Sequence, residues 1–152
     1  MSPENVELVR HYFELVQRAY DAYFQDPRSL EGRLRAGEVA PEVAEAMHYV
    51  HPNIEWKSAL IGVTSRGYEG TARGLDRLLE AAQRYRVSVQ EVTRLRADQV
   101  LAVLELAMKG KASDIDVETV IFSLVTVRDG LITRMDEYLD RAEALEAAGL
   151  RD

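Results

Sequence analysis

At Val87 the hydrophobic pattern of this chain changes period, from helical spacing to extended runs, and that switch limits the folds open to it. Before it, Val6, Val9, Phe13, Val16, Tyr20 and Tyr23 recur at alternating spacings of three and four. A second stripe, Leu8, Tyr12, Leu15, Ala19 and Ala22, runs beside the first. The combined face is wide enough for a sheet to wrap around it. After the switch, Val87–Leu95, Val100–Lys109, Ile115–Val127 and Leu131–Leu139 are rich in Val, Ile, Thr and Leu, with turn residues between them. Helices followed by a four-strand meander predict an α+β fold, a curved antiparallel sheet with N-terminal helices against one face.

Local signals set the boundaries. Ser2 is placed to cap the first helix, with Pro3 in its first turn, where the missing N–H has no partner to lose. Asp26-Pro27 breaks that helix, and residues 29–36 form a short helical turn ending at Gly37. Pro41 opens another short helix with Val43, Met47 and Val50 inward, stopped at His51-Pro52. Asn53 to Ser58 gives a first strand, and Gly62, Gly67 and Gly70 mark a loop. A third amphipathic helix carries Leu75, Leu78, Leu79, Ala82 and Tyr85 on one face. Asp129-Gly130 suits a two-residue hairpin turn, because both residues tolerate positive φ. Asp140-Arg-Ala-Glu143 is a capping box for a last short helix ending at Gly149. No repeat, low-complexity tract or linker divides the chain, so a single domain over 1–152 is expected.

The third meander strand is apolar on both faces, Ile121/Ser123/Val125/Val127 on one and Val120/Phe122/Leu124/Thr126 on the other. An antiparallel sheet with one wet side alternates, so something covers the second face. If the helices cover only one face, a second copy of the chain covers the other, and a homodimer through the sheet follows. The alternative is a sheet curled so tightly that its own segments cover both sides.

The formal charge of −7 makes nucleic acid or an acidic membrane surface an unsuitable partner. There is no cysteine, which excludes disulfides, thiolate metal sites and cysteine nucleophiles and suits a reducing cytoplasm. The N-terminus lacks a signal-peptide pattern, and no stretch approaches membrane-spanning length. Glu45, His48 and His51 stand at spacings of three, yet two imidazoles near a helix end with no third firm ligand suit surface or capping roles, and no metal is expected.

His51-Pro-Asn-Ile-Glu-Trp56, Arg66-Gly-Tyr-Glu-Gly70, Thr126-Val-Arg-Asp-Gly-Leu-Ile-Thr-Arg134 and Tyr138-Leu-Asp-Arg-Ala-Glu-Ala-Leu145 together resemble SnoaL-like proteins of the nuclear transport factor 2-like superfamily. The resemblance covers nearly the whole chain. It implies a cone-shaped α+β barrel with a pocket between the long first helix and the concave sheet, and frequent dimers packed through the sheet. The segment at about 26–51 is longer than such proteins usually have, and is expected to form an extra helical lid or rim. The superfamily includes cyclases, isomerases, dehydratases, epoxide hydrolases and binding modules, so the fold does not fix one function.

Within that fold, period-two alternation decides which side chains enter the pocket. Met135, Glu137 and Leu139 are expected inward on the last strand, Ser123 on the strand before it, Trp56 and Ser58 on the first strand, and Tyr12 on the first helix. Tyr12 matches the helix tyrosine of the similar ketosteroid isomerase, whereas Ser123 falls where its protonated acid would stand and Ser58 where its base would stand. A serine cannot take a proton near neutral pH, so steroid isomerisation by that route does not fit. Glu137 remains as the candidate base, its pKa raised by burial. Each residue also has a plainer role: Tyr12 as core, Glu137 as a structural ion pair or ligand anchor, Trp56 as pocket wall, Ser123 as a locally satisfied hydroxyl.

Two functions follow. The first is binding of a small apolar molecule in the cone pocket without catalysis. The second is cofactor-independent isomerase, cyclase or dehydratase chemistry on a small carbonyl compound, with Tyr12 and Ser123 steadying an enolate and Glu137 moving the proton. Neither calls for a cofactor.

Overall fold

The computed structural model describes residues 3–112 and 116–150, so the Ser2 cap and the Ile115 strand start lie outside the described residues. The chain runs α1 (Pro3–Gln25), α2 (Leu30–Ala36), α3 (Pro41–Met47), β1 (Val50–Lys57), β2 (Thr64–Arg66), α4 (Gly67–Glu80), β3 (Ala82–Arg96), β4 (Gln99–Gly110), β5 (Asp116–Arg128), β6 (Leu131–Tyr138) and α5 (Arg141–Ala147). Strands β3 to β6 form the expected antiparallel meander, and the hairpin turn falls at Asp129 and Gly130, with φ of 53° and 77°. The fold is α+β with a curved sheet that is not closed.

The sheet order β2-β1-β6-β5-β4-β3 makes it mixed rather than wholly antiparallel, because β1 runs parallel to β6. A parallel pair needs a long crossover, and the chain between β1 and β6 supplies it with α4 and the whole meander. His51-Pro52 lies inside β1 and does not stop a helix there; α3 ends earlier, at Met47. Proline is tolerated because the β1–β6 register slips between Val50 and Glu55, while β2 meets β1 only at Glu55–Lys57. The third expected helix also ends sooner, at Glu80, which places Tyr85 on β3.

The inner face of the sheet buries Val100, Ala102, Leu104 and Leu106 of β4 and Ile121, Val125 and Val127 of β5 against Val9 and Phe13 of α1. The outer face carries a second cluster, Leu101, Val103 and Leu124 packed against Ala144 and Ala148 at the C-terminal helix. This corrects the expectation that helices cover only one face. Part of the outer apolar face of β5, around Leu124, is met within the chain by α5, whose start is fixed by Asp140 accepting from Ala142 N and Glu143 N at 2.7 and 3.3 Å; Val120 on the same face stays exposed. No described helix is long and apolar enough to cross a membrane.

The 26–51 segment is tied down by one buried carboxylate that the sequence pattern does not reveal. Asp76 on α4, 7% exposed, accepts from Leu30 N at 2.7 Å, Ser29 Oγ at 2.9 Å and Glu31 N at 3.2 Å. It thereby satisfies backbone donors at the start of α2 that the helix itself leaves free. Ser29 caps the same helix through Gly32 N, and Gly37 closes it with φ 72°. Removing this carboxylate strands several donors at once. An Asp76→Ala variant is expected to lose about 2–3 kcal/mol of stability in urea unfolding, and Asp76→Asn, which keeps one acceptor oxygen, to lose less.

Candidate functional site

The concave side of the sheet, α1, α4 and the α2–α3 segment enclose a cavity of about 160 Å³. Its wall is mostly aliphatic: Val16 of α1, Leu34 of α2, Val43 and Met47 of α3, Leu75 and Leu79 of α4 and Leu104 of β4 all reach it. The extra segment is therefore part of the wall itself. Against this background Glu137 is the acidic residue on the cavity wall.

Glu137 is held from two sides. Its Oε2 accepts from Trp56 Nε1 at 3.0 Å, and its Oε1 accepts from Ala59 N at 3.0 Å. Both donors follow from the path of β1. Trp56 pairs with Met135 across the parallel β1–β6 ladder, so its ring lies on the same face as Glu137. Just past the strand, Ser58 Oγ accepts from Leu60 N at 3.2 Å and Ile61 N at 3.3 Å, bending the chain into a turn that presents the Ala59 N–H. Gly74 lets α4 come close behind the indole: a Cβ there would lie 2.9 Å from Trp56 Cζ3.

Burial pushes the Glu137 carboxyl up, and the Trp56 and Ala59 hydrogen bonds oppose that shift without cancelling it. Burial also pushes Tyr12 up to about 12, with the Glu137 charge adding to the effect. Tyr20 and Tyr85 are raised in the same way, burial first, with Glu137 contributing to both. These three tyrosines line the cavity, and no hydrogen bond to another described residue occupies their hydroxyls. They stay protonated across the physiological range and can donate into the cavity. Tyr68 differs, its hydroxyl being spent on Val50 O at 2.7 Å.

Tyr12, Trp56, Met135 and Glu137 come together on the cavity wall. Ser58 and Ser123 are buried but do not reach it. Ser58 is absorbed by its turn. Ser123 stands opposite Glu137 in the β5–β6 register, fully buried, its Oγ without a partner among the described residues. Leu139 corrects the alternation: β6 ends at Tyr138, and Leu139 beyond it is 56% exposed and outside the cavity. His51 sits in β1, where Nδ1 accepts from Asn53 N at 2.9 Å, so it does not share a helix side with Glu45 and His48. Tyr20, Tyr85, Arg33 and Thr71 are polar wall residues that sequence reasoning did not single out. Tyr20 was visible in the first-helix stripe, but Tyr85 reads as helical until the strand start is known.

The SnoaL-like domain family matches residues 9–135, and the chain belongs to that family. No curated protein matches it. A Catenulispora acidiphila DSM 44928 protein with a ketosteroid isomerase-like fold, in complex with trimethylamine, is 18% identical, with 90% of this chain and 93% of that chain covered and a TM-score of 0.59. A putative SnoaL-like polyketide cyclase from Jannaschia sp. CCS1 is 19% identical, with 90% of each chain covered and a TM-score of 0.57. A Mycobacterium tuberculosis protein in complex with estradiol-17beta-hemisuccinate is 16% identical, with 74% of this chain and 89% of that chain covered and a TM-score of 0.55. At these identities the likeness establishes the fold alone.

The Glu137 environment has a measurable signature. A carboxyl whose folded pKa is raised binds its proton more tightly when folded, so its contribution is most favourable below the unfolded pKa. That contribution is lost as pH rises through the folded value. Replacing Trp56 with Phe removes a donor that serves the ionised form and moves the folded value further up. Trp56→Phe is thus expected to cost more stability at pH 7 than at pH 4, the excess being about 1.5–3 kcal/mol for a lost hydrogen bond to a buried charge. The packing loss is the same at both pH values, and urea unfolding at each separates the two parts.

Proposed function

We propose that this SnoaL-like protein binds a small, largely apolar molecule with one polar head, and that it holds rather than transforms it. The carrying observation is the one carboxylate of the wall, the half-buried Glu137, among mostly aliphatic and aromatic neighbours. Such a site gains affinity from apolar burial and orientation from one polar contact. Two features support holding over turnover. Both Glu137 oxygens already accept from fixed N–H groups, and the serines that stand where a partner acid or base would be do not reach the cavity. The Mycobacterium tuberculosis and Catenulispora acidiphila structures, complexed with estradiol-17beta-hemisuccinate and trimethylamine, support a pocket in this fold suited to small molecules.

The second reading, acid–base chemistry on a small carbonyl compound, is favoured by the raised Glu137 carboxyl lying in the same cavity as the protonated Tyr12. In that reading Tyr20 or Tyr85 takes the donor role first assigned to Ser123. Solvent deuterium exchange at the α-carbon of cyclohexanone, with Glu137→Gln as control, distinguishes the two. Exchange above background that the variant loses supports catalysis and contradicts the binding reading.

The sheet-to-sheet homodimer expected from the sequence is proposed separately from the pocket. With α5 covering Leu124 but leaving Val120 of β5 exposed, the outer face still supports that dimer in part; native mass spectrometry reports it directly.

Trp56 is the one tryptophan in the chain and lies on the cavity wall, which gives binding its own optical probe. Cyclohexanone and larger cyclic ketones are expected to change Trp56 fluorescence saturably and to raise the melting temperature with the logarithm of ligand concentration once it exceeds Kd. A linear, non-saturating response to every compound in the series would count against a binding pocket.

A further inference from the structure

The wall of the cavity poses a charge problem. Glu137 carries a carboxylate in an apolar enclosure, and among the described residues no Lys, Arg or His forms an ion pair with it. A buried carboxylate normally gains a counter-charge or gives up its own charge. The cationic residue on the wall, Arg33, is directed elsewhere, its Nε donating to Glu38 O at 3.0 Å. The groups that do meet Glu137 are Trp56 Nε1 and Ala59 N, one to each oxygen. That arrangement suits two acceptor oxygens, and each oxygen keeps a free lone pair for a further partner.

Aromatic residues share the wall with this carboxylate. Trp56 contacts it directly, and Tyr12, Tyr20 and Tyr85 line the same cavity. Tyr20 and Tyr85 pack edge to face with ring centroids 5.1 Å apart. Aromatic rings on the same wall as a carboxylate that no positive side chain meets favour a cation with a low hydration cost. A carbonyl head would instead need Glu137 to be protonated, and it would leave the aromatic clustering without a role.

We propose that the polar head of the ligand is a cationic nitrogen, a protonated or quaternary ammonium, seated between the Glu137 carboxylate and the rings of Trp56, Tyr12, Tyr20 and Tyr85, with its hydrocarbon part against the α2–α3 wall. This deepens the binding reading above and rests on it. The chemistry is self-consistent: the ligand supplies the missing counter-charge, and the raised carboxyl pKa of the unliganded site falls when it does.

Phenyltrimethylammonium and tert-butylbenzene have nearly the same shape and differ in the charge at the central atom, so the pair isolates the head-group effect. With the full chain near pH 7, Trp56 fluorescence and ligand-observed NMR should show the cation binding about tenfold or more tighter than the hydrocarbon. Glu137→Gln should abolish that preference while leaving hydrocarbon binding in place, and Tyr20→Phe should keep it. If Glu137→Gln does not fold, the wild-type comparison still decides. Equal or tighter binding of tert-butylbenzene overturns the cationic head and leaves the apolar pocket standing. Failure of both compounds to bind overturns the pocket reading and this inference together.

Discussion

A carboxylate inside a hydrocarbon cup is costly unless fixed donors meet it, and the Glu137 site is organised around that requirement. Trp56 Nε1 and Ala59 N meet it at 3.0 Å each. Neither donor belongs to the strand that carries Glu137. Both come from β1 and the turn after it, so the site exists only because β1 joins β6 in parallel and sets Trp56 opposite Met135. The turn at Ser58 and the bare Cα of Gly74 then fix where those donors stand. Displacing any of these parts moves a donor away from a buried charge.

The same economy governs the lid-like segment. Short helices such as α2 and α3 have little stability of their own and persist through tertiary support. Asp76 provides it by receiving three hydrogen bonds from the start of α2, and Glu31 adds an ion pair with Arg73 at 2.6 Å. Because Leu34, Val43 and Met47 reach the cavity from this segment, the anchor on α4 and the shape of the binding space are coupled. The aliphatic end of the cavity is built by these helices, and the polar end by the sheet.

Much of this frame was legible in the residues. The change of period near Val87, the Asp129-Gly130 turn and the Asp140 cap depend on local backbone preference, which sequence carries directly. The inward positions of Tyr12, Trp56, Met135 and Glu137 followed from helix and strand periodicity. What escaped depends on contacts between distant segments. Pro52 punctuates a helix by local rules, yet it lies in β1 because the register slip leaves its N–H position unpaired. Tyr85 continues an apolar helical spacing, and only the early start of β3 moves it to the cavity. Asp76 looks like an ordinary exposed residue of an amphipathic helix until α2 is placed against it. The outer face of β5 suggested a second chain because α5, at seven residues, gave no sign in sequence of where it would pack.

The central claim is that Glu137 is a half-buried, hydrogen-bonded carboxyl whose proton affinity is raised by its surroundings. Carbon-13 NMR of the Glu137 side-chain carboxyl, followed as a function of pH in the intact protein and assigned with Glu137→Gln, tests it most directly. The account predicts a titration midpoint above the value of about 4.3 found for free glutamate side chains. A midpoint at or below that value would contradict it.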